Sequence, residues 1–451
     1  MVKIGLEIHA YLNTKEKLFC DCKAEHGIKH AKPNTNICPI CTGQPGSKPM
    51  LPNLEAINRV IQIALILGCK INSKLVWQRK HYSWPDLPKG YQNTMSGPYA
   101  TENGTKGKFQ GIRITEVHLE EDPAAWNPET GQIDYNRSGS PLIEIVTDPD
   151  FKNAKEVIEW MKQLITTLNY IKAIDKKAGV KADVNVSING GKRVEMKNIT
   201  GLQNISKALE YEINRQKKEG VKEQHTRMFD ADKNVTKMMR SKEQAADYRF
   251  ISDPDLPVIN IEKKRIEKIE KETPETPEIK LKKLVKKYKI DSRYAKILTK
   301  KLDIVELFED VVQEVHPKLA INWVVEELLS MLNYNKKELD EIDLDSQHFI
   351  DLLKLVEKKE LTESKAQEIL RSWKEKSESP KGLIKKQGKI SDLKELGKLA
   401  DKVIKENKKA VEDYKSGKRW SINFLIGQIM KLTNKRADFK IAKEVLEKKL
   451  G

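Results

Sequence analysis

Two prolines, Pro274 and Pro277, stand at a change of texture that limits the folds open to this chain of 451 residues. Before them, apolar residues alternate or gather in short runs at residues 4–9, 113–118, 142–147, 183–188 and 194–197, punctuated by Gly, Pro and Asn. That is the pattern of strands and turns. Helical periods of three to four residues intervene at 53–67, 154–168 and 202–219, so the first part reads as mixed α and β. A Lys/Glu run from Ile261 then enters Thr273-Pro274-Glu275-Thr276-Pro277, whose prolines are incompatible with a helix interior, and a domain boundary is predicted there.

Beyond the prolines the helical period dominates, at 281–288, 292–301, 320–332 and 346–358. A second break, Ser377-Glu378-Ser379-Pro380-Lys381-Gly382, precedes helical segments at 391–406, 408–414, 421–432 and 438–450, with Ser421 placed to cap the third of these. The fold class expected is therefore α+β: a β-rich domain over residues 1–272, an all-helical domain over 273–380 and a small helical-bundle tail over 381–451.

Hydrophobic residues make up 38% of the chain and charged residues 33%, the balance of a soluble globular protein. The longest apolar run, residues 61–69, includes Gln62 and is about half of what a bilayer crossing needs, so no membrane partner is expected. Met1-Val2-Lys3-Ile4-Gly5-Leu6-Glu7 lacks the basic head and apolar stretch of a secretory signal. A cytoplasmic location follows as an expectation, and five cysteines in a reducing compartment point to metal binding before disulfides. The net charge of +17 favours a polyanionic partner, nucleic acid first, since Lys and Arg release counterions condensed on phosphates. The tail from Ser391 holds 16 Lys and Arg against 9 Asp and Glu, which suits RNA phosphates, although an ordinary Lys-rich solvated surface has the same composition.

Cys20-x-Cys22 and Cys38-x-x-Cys41 form two close dyads with Pro33, Asn34, Pro39, Gly43 and Gly46 to turn the chain between and after them. Four thiolates at such spacing suit tetrahedral zinc, and a closed shell of four leaves no open position for substrate, so this site is assigned to stability. Cys69, inside an apolar helix, is read as packing. In Gly5-Leu6-Glu7-Ile8-His9 the alternation puts Glu7 and His9 on one face of a strand. His118-Leu119-Glu120-Glu121-Asp122 ends a second strand with His118 and Glu120 on one side; carboxylates beside imidazoles suit a magnesium ion, while a solvated acidic cluster is the plainer alternative.

Glu144 interrupts the apolar strand Pro141-Leu142-Ile143-Glu144-Ile145-Val146, and an unpaired buried carboxylate there is costly, so a cationic partner is predicted. Asp183, Asn185 and Ser187 share a strand face, as do Glu195 and Lys197. Arg240, Lys242 and Arg249 gather cations that can hold phosphate oxygens or simply form a salt-bridged surface loop. Tyr82-Ser83-Trp84-Pro85-Asp86-Leu87-Pro88-Lys89-Gly90-Tyr91-Gln92 is a rigid aromatic loop that can present Lys89 or stack on a terminal adenine. The chain has no G-x-x-x-x-G-K-[ST], no strand-linked G-x-G-x-x-G, no H-E-x-x-H and no G-x-S-x-G motif. These residues define a zinc-stabilised, carboxylate-rich domain with a basic helical extension that acts on nucleic acid, and they leave the reaction open.

Together these strings resemble the B subunit of glutamyl/aspartyl-tRNA amidotransferases, nearly end to end. The resemblance is carried by Gly5–His9, the four cysteines, Tyr82 with Pro85-Asp86-Leu87-Pro88-Lys89-Gly90-Tyr91-Gln92, and His118-Leu119-Glu120-Glu121-Asp122. It continues through Asp134-Tyr135-Asn136-Arg137, Pro141-Leu142-Ile143-Glu144-Ile145, Asp183-Val184-Asn185-Val186-Ser187, Glu195, Lys197-Asn198, Met239-Arg240-Ser241-Lys242-Glu243, Asp247-Tyr248-Arg249 and Ala410-Val411-Glu412-Asp413-Tyr414-Lys415. The chain departs from the family pattern at Thr200-Gly201-Leu202-Gln203 and at Asn434-Lys435-Arg436-Ala437-Asp438-Phe439.

The resemblance implies a cradle-shaped, kinase-like domain without a P-loop, followed by helical parts that grip tRNA. It implies that ATP phosphorylates the side-chain carboxylate of misacylated Asp-tRNA(Asn) or Glu-tRNA(Gln), and that ammonia from the amidase A subunit then displaces the phosphate, with a small C subunit completing the complex. Glu7, His9 and Glu120 are the implied catalytic and Mg2+-binding residues, with Glu121 in reserve. Lys89, Asn136, Arg137, Glu144, Asp183, Asn185, Glu195, Lys197, Arg240, Lys242 and Arg249 are the implied substrate and ATP contacts, and Cys20, Cys22, Cys38 and Cys41 the Zn2+ ligands. The competing expectation is a zinc-containing RNA-binding or assembly protein without chemistry of its own.

Overall fold

A computed structural model describes residues 1–24, 31–176, 178–241, 248–380, 390 and 392–451. Within it the chain separates into two compact units, Met1–Pro277 and Glu278–Gly451. The first is mixed α and β and the second is helical, as the change of hydrophobic period predicts. The Lys/Glu run before the prolines is itself a helix, Lys263–Glu272, which packs on the helix Leu54–Ile66 of the first unit.

Among the described residues, the first unit is built on a twelve-stranded mixed sheet. The strands that matter for function are β1 (Val2–Tyr11), β2 (Gln78–Lys80), β3 (Gln92–Thr94), β4 (Ile112–Glu121) and β5 (Pro141–Thr147). They continue with β6 (Val180–Ile188), β7 (Val194–Thr200), β8 (His225–Asp230) and β9 (Val235–Ser241). Across the sheet the order is β9, β8, β7, β6, β1, β5, β4, β3, β2. Neighbours on this path are antiparallel except β7 and β8. The β8–β9 hairpin was not predicted from sequence. It lies at the edge of the sheet, its buried face carries polar Thr226 and Thr236, and Met228, Met238 and Met239 stay exposed, so no apolar alternation marks it.

Helices α1 (Leu54–Ile66), α2 (Ala154–Tyr170) and α3 (Leu202–Glu219) pack with this sheet, α1 against β4 and α3 against β6, while α2 lies beside α3. Asn53 and Asn153 cap the first two by accepting backbone N–H bonds. Trp160 of α2 sits edge-on to Phe109 and Phe151, with centroids 5.8 and 5.4 Å away. Ile4, Leu6, Ile8, Val117, Leu119, Ile143, Ile145, Val184 and Val186 are buried. Each such side chain contributes about 1.5–3 kcal/mol, and a slip of one residue would turn the whole set to the other face. The register of the site is therefore held by the apolar face behind it.

In the second unit the helices Leu302–Glu314, Ser346–Glu357 and Glu363–Ser372 are joined by a longer helical stretch. There Pro317–Asn322 passes through a π-helical turn, Trp323–Leu328, into Leu329–Tyr334. The widened turn lets Trp323, Val324 and Val325, three successive residues, all be buried. Later helices Leu393–Glu406, Ile422–Leu432 and Phe439–Leu450 share an apolar core that includes Leu396, Leu425, Ile429 and Leu446. Asp392 and Asp438 cap their helices, but Ser421 does not: it continues a 3-10 turn in helical conformation, so its hydroxyl makes no cap bond. Among the described residues no helix is long and apolar enough to cross a membrane.

Candidate active site

Side chains alternate across a strand, so burying Leu6, Ile8 and Ala10 of β1 turns Glu7, His9 and Tyr11 to the opposite face. Pairing register then decides which residues meet them. His9 lies opposite Lys181 of β6 on one side and Glu144 of β5 on the other, and Glu144 lies opposite His118 of β4. One row across four strands thus reads Lys181, His9, Glu144, His118. The adjacent row on the same face reads Asp183, Glu7, Val146, Glu116. Above these rows opens a cleft of about 960 Å³, lined among others by Glu7, His9, Tyr11, Lys80, Tyr82, Glu120, Glu144, Asp183, Lys197 and Arg249.

Two clusters of donors share the cleft. In the first, Glu144 Oε2 is 3.3 Å from His9 Nε2 and 3.3 Å from His118 Nε2. This supplies the cationic partner that the buried Glu144 required. One donor atom from each of His9, Glu120 and Glu144 lies within 4.8 Å of the others, a set of imidazole and carboxylate ligands that suits a divalent cation. In the second, Glu7, Asp183 and Glu195 are grouped equally closely. Lys197 Nζ lies 2.6 Å from Asp183 Oδ2 and 2.9 Å from Glu195 Oε1. Asn185 Nδ2 donates to Glu7 Oε1 at 3.1 Å, and Thr226 Oγ1 donates to Glu195 Oε2 at 3.0 Å. The sequence reading placed Glu7, His9 and Glu120 around one ion; the geometry instead groups Glu7 with Asp183 and Glu195, and Glu144 with His9 and Glu120.

Burial pushes the imidazole of His9 down, but Glu144 and the nearby carboxylates outweigh it and raise its pKa to about 9. His118 is likewise raised to about 10, its burial outweighed by Glu144 and Glu116. The two imidazoles hold Glu144 well below the usual carboxylate range in spite of burial. Glu120 and Glu7 go the other way: burial is the largest influence on each and raises it. Lys197 is raised because Asp183 and Glu195 outweigh its burial. The cleft therefore holds carboxylates of opposite tendency side by side, an arrangement suited to proton transfer.

Other residues singled out in the sequence go elsewhere. Glu121 follows Glu120 on β4 and so faces away; its carboxylate takes Lys89 Nζ at 2.6 Å and accepts from the Asn93 backbone N–H at 2.9 Å. Lys89 and Glu121 thus form a buried pair outside the cleft lining. Asn136 ties the cysteine loop, accepting from Asn36 N at 2.9 Å and donating to Lys32 O at 2.8 Å. Arg137 lines the cleft and pairs with Asp122 at 3.0 Å. Arg249 lines it too. Arg240 sits on β9, and Lys242 lies outside the described residues. Sequence reasoning missed Tyr11, Lys80 and Lys181 in the cleft and Glu116 beside it. Alternation gave the signal for Tyr11, two residues beyond His9; only cross-strand register reveals the other three.

Cys20, Cys22, Cys38 and Cys41 converge, one sulfur from each lying within 4.8 Å of the rest. Four sulfurs at about 2.3 Å from a common centre would be spaced compatibly. The hydrogen bond with Cys20 lowers the Cys41 thiol to about 4, while burial raises Cys22 to about 11. Lys17, itself buried, donates to Asn36 O at 3.1 Å and Tyr135 O at 3.2 Å and adds positive charge beside Cys41. Cys69 is buried against Gly107, away from this group, as packing requires.

An open mixed sheet whose polar face carries paired carboxylates, imidazoles and lysines in a broad cleft defines the catalytic domain of an enzyme, one that does not use a P-loop. The family model described as GatB/GatE catalytic domain matches residues 2–267, and that described as GatB domain matches residues 306–450. The chain is 44% identical to the B subunit of the aspartyl/glutamyl-tRNA(Asn/Gln) amidotransferase of Methanocaldococcus jannaschii, over 100% of this chain and 98% of that one. It is 42% identical to the protein of the same name from Methanobrevibacter smithii, over 98% and 99% of the two chains. For Methanothermobacter thermautotrophicus the identity is 40% over 100% of both. The chain belongs to this family of amidotransferase B subunits.

Proposed function

We propose that this chain is the subunit of a tRNA-dependent amidotransferase that converts Asp-tRNA(Asn), Glu-tRNA(Gln) or both into Asn-tRNA(Asn) and Gln-tRNA(Gln). The observation that carries the reading is the convergence of His9, Glu120 and Glu144 beside Glu7, Asp183 and Lys197 in one cleft, with Glu195 grouped against Glu7 and Asp183. A carboxylate is a poor electrophile until one oxygen becomes a good leaving group. An oxygen of the aminoacyl side chain attacks the γ-phosphorus of ATP, ADP leaves, and an acyl phosphate forms. Ammonia then attacks the carbonyl carbon and phosphate departs.

The chain's own groups suit each step. His9, Glu120 and Glu144 would hold Mg2+, which when bound neutralises charge developing on the transferred phosphoryl group. Lys197, kept cationic by Asp183 and Glu195, would orient phosphate oxygens together with Arg249. Glu7, its carboxyl raised by burial, would take the proton released when ammonia attacks. Ammonia would be supplied by a glutamine-hydrolysing A subunit, with a small C subunit in the complex, in the cytoplasm. The four-cysteine group would hold structural Zn2+. The helical second unit would bind tRNA, with its basic tail from Ser391 against the phosphates.

The alternative, a zinc-containing RNA-binding protein without chemistry, is not favoured, because the family match over the first unit is to a catalytic domain. The test is a reconstituted assay with glutamine, ATP, partner subunits and each misacylated tRNA. Glu120→Ala should abolish amide formation and leave tRNA affinity nearly intact. Normal transamidation by that variant would overturn the assignment.

A further inference from the structure

His118 is buried, only 3% exposed, and does not line the cleft. Yet both ring nitrogens lie at ion-pair distance from carboxylates: Nε2 is 3.3 Å from Glu144 Oε2, and Nδ1 is 3.1 Å from Glu116 Oε1, the latter a charge contact without hydrogen-bond alignment. Ser96 Oγ in turn donates to Glu116 Oε1 at 2.7 Å. The chain of contacts runs Ser96, Glu116, His118, Glu144, His9, along one face of the sheet from outside the cleft lining to the cleft. Glu116, His118 and Glu120 are alternate residues of β4, so one strand supplies both a candidate ligand and the support of another.

We propose that His118 is a positioning residue: braced by Glu116 and Ser96, it fixes the Glu144 carboxylate so that Glu144, with His9 and Glu120, is preorganised to bind a divalent cation. This rests on the reading that those three residues hold the cation. Glu144 has no other fixed partner of this kind in the described structure besides His9, which is itself a candidate ligand. With His118 removed, the carboxylate would be free to leave the position where the three donor atoms meet. Partners behind a ligand matter as much as this in metal sites generally, where their loss weakens binding about 10- to 100-fold.

The test uses the full-length chain assembled with its partner subunits and Mn2+ as the probe, with affinity read from water-proton relaxation. Wild type should bind Mn2+ and Glu120→Ala should not. His118→Ala should weaken binding about 10- to 100-fold, and His118→Gln, whose amide reaches toward Glu144, should recover part of the loss. Glu116→Gln, nearly isosteric, should weaken it several-fold by releasing the imidazole. In the double variant Glu116→Gln with His118→Ala, the loss should equal that of His118→Ala alone, because Glu116 acts only through the ring. KM for misacylated tRNA should stay unchanged in the His118 and Glu116 variants. Undiminished Mn2+ affinity in both His118→Ala and Glu116→Gln, alongside a wild type that binds and a Glu120→Ala that does not, would overturn the role of His118. A wild type that fails to bind, or a Glu120→Ala that binds as well, would instead overturn the cation site itself and the positioning role with it.

Discussion

His9 and Glu144 face each other across two neighbouring antiparallel strands, and their side chains meet with Nε2 and Oε2 3.3 Å apart. The carboxylate is shared with His118 on its other side. Two imidazoles therefore share one anion as the leading support of their charge, and that dependence has a measurable consequence. In metal-free protein the His9 and His118 pKa values of about 9 and 10 should fall toward the unperturbed 6.5 in Glu144→Gln. Imidazole proton NMR reads this directly. Because both folded-state values lie above the unfolded one, their stabilising contribution is fully present below about pH 6.5 and is lost as pH rises through 9 to 10. Urea unfolding across that window should decline in wild type and be flatter in Glu144→Gln.

The convergence of the four cysteines predicts one zinc per chain. Elemental analysis of purified protein should find it, and Cys38→Ser with Cys41→Ser should lose it. The melting midpoint should fall with it, by about 2–4 °C for each kcal/mol lost in a unit of this size. Wild type without zinc would return the cysteines to simple packing residues.

Glu212 on α3 has a fully buried side chain held by Arg215 Nη2 at 2.6 Å, Thr236 Oγ1 at 2.8 Å and Gln216 Nε2 at 2.9 Å. It fastens the β9 strand to the helix. Burial opposes its charge, but these partners outweigh burial and lower its pKa. The stabilisation is present above the unfolded value near 4.5 and is lost as pH falls through the lower folded value. Breaking such a buried pair costs about 3–5 kcal/mol. Glu212→Gln should lose about that much in chemical denaturation at pH 7, and the difference from wild type should shrink as the medium is acidified below 4.5.

Gly43 follows the last of the clustered cysteines with φ +63, and a Cβ there would fall 2.2 Å from the carbonyl oxygen of Pro88. Neither the left-handed backbone nor the backbone atom in the way can yield cheaply. Gly43→Ala should destabilise the first unit by about 2–4 kcal/mol, combining left-handed strain with overpacking. Thermal unfolding would measure it, and zinc content would report whether the cysteine loop is disturbed as well.

Much of the candidate site was legible in the sequence because strand alternation is a local rule. It placed Glu7 with His9 on one face, flagged Glu144 as a carboxylate needing a cation, and paired Glu195 with Lys197. The same rule sends Glu121 away from Glu120, yet adjacency in an acidic string kept Glu121 as a reserve for the catalytic role. Glu116 was invisible as a partner because it is two residues before His118 in a strand where polar residues alternate anyway. Asn136 looked like a substrate contact within its motif and serves the cysteine loop, a role visible only once residues 32–36 lie against it.

Local periodicity and turn chemistry, then, determined that a β-rich part precedes a helical one, where the cysteines could gather, and which faces of individual strands are polar. Those are properties of residues two to four positions apart, and a linear string carries them in full. Which strands neighbour one another, and in what register, was decided only by the tertiary structure. Placing β1 between β5 and β6 requires the apolar face of all three to pack together, and that cooperative burial sets the rows that bring His9 to Glu144 and Glu7 to Asp183.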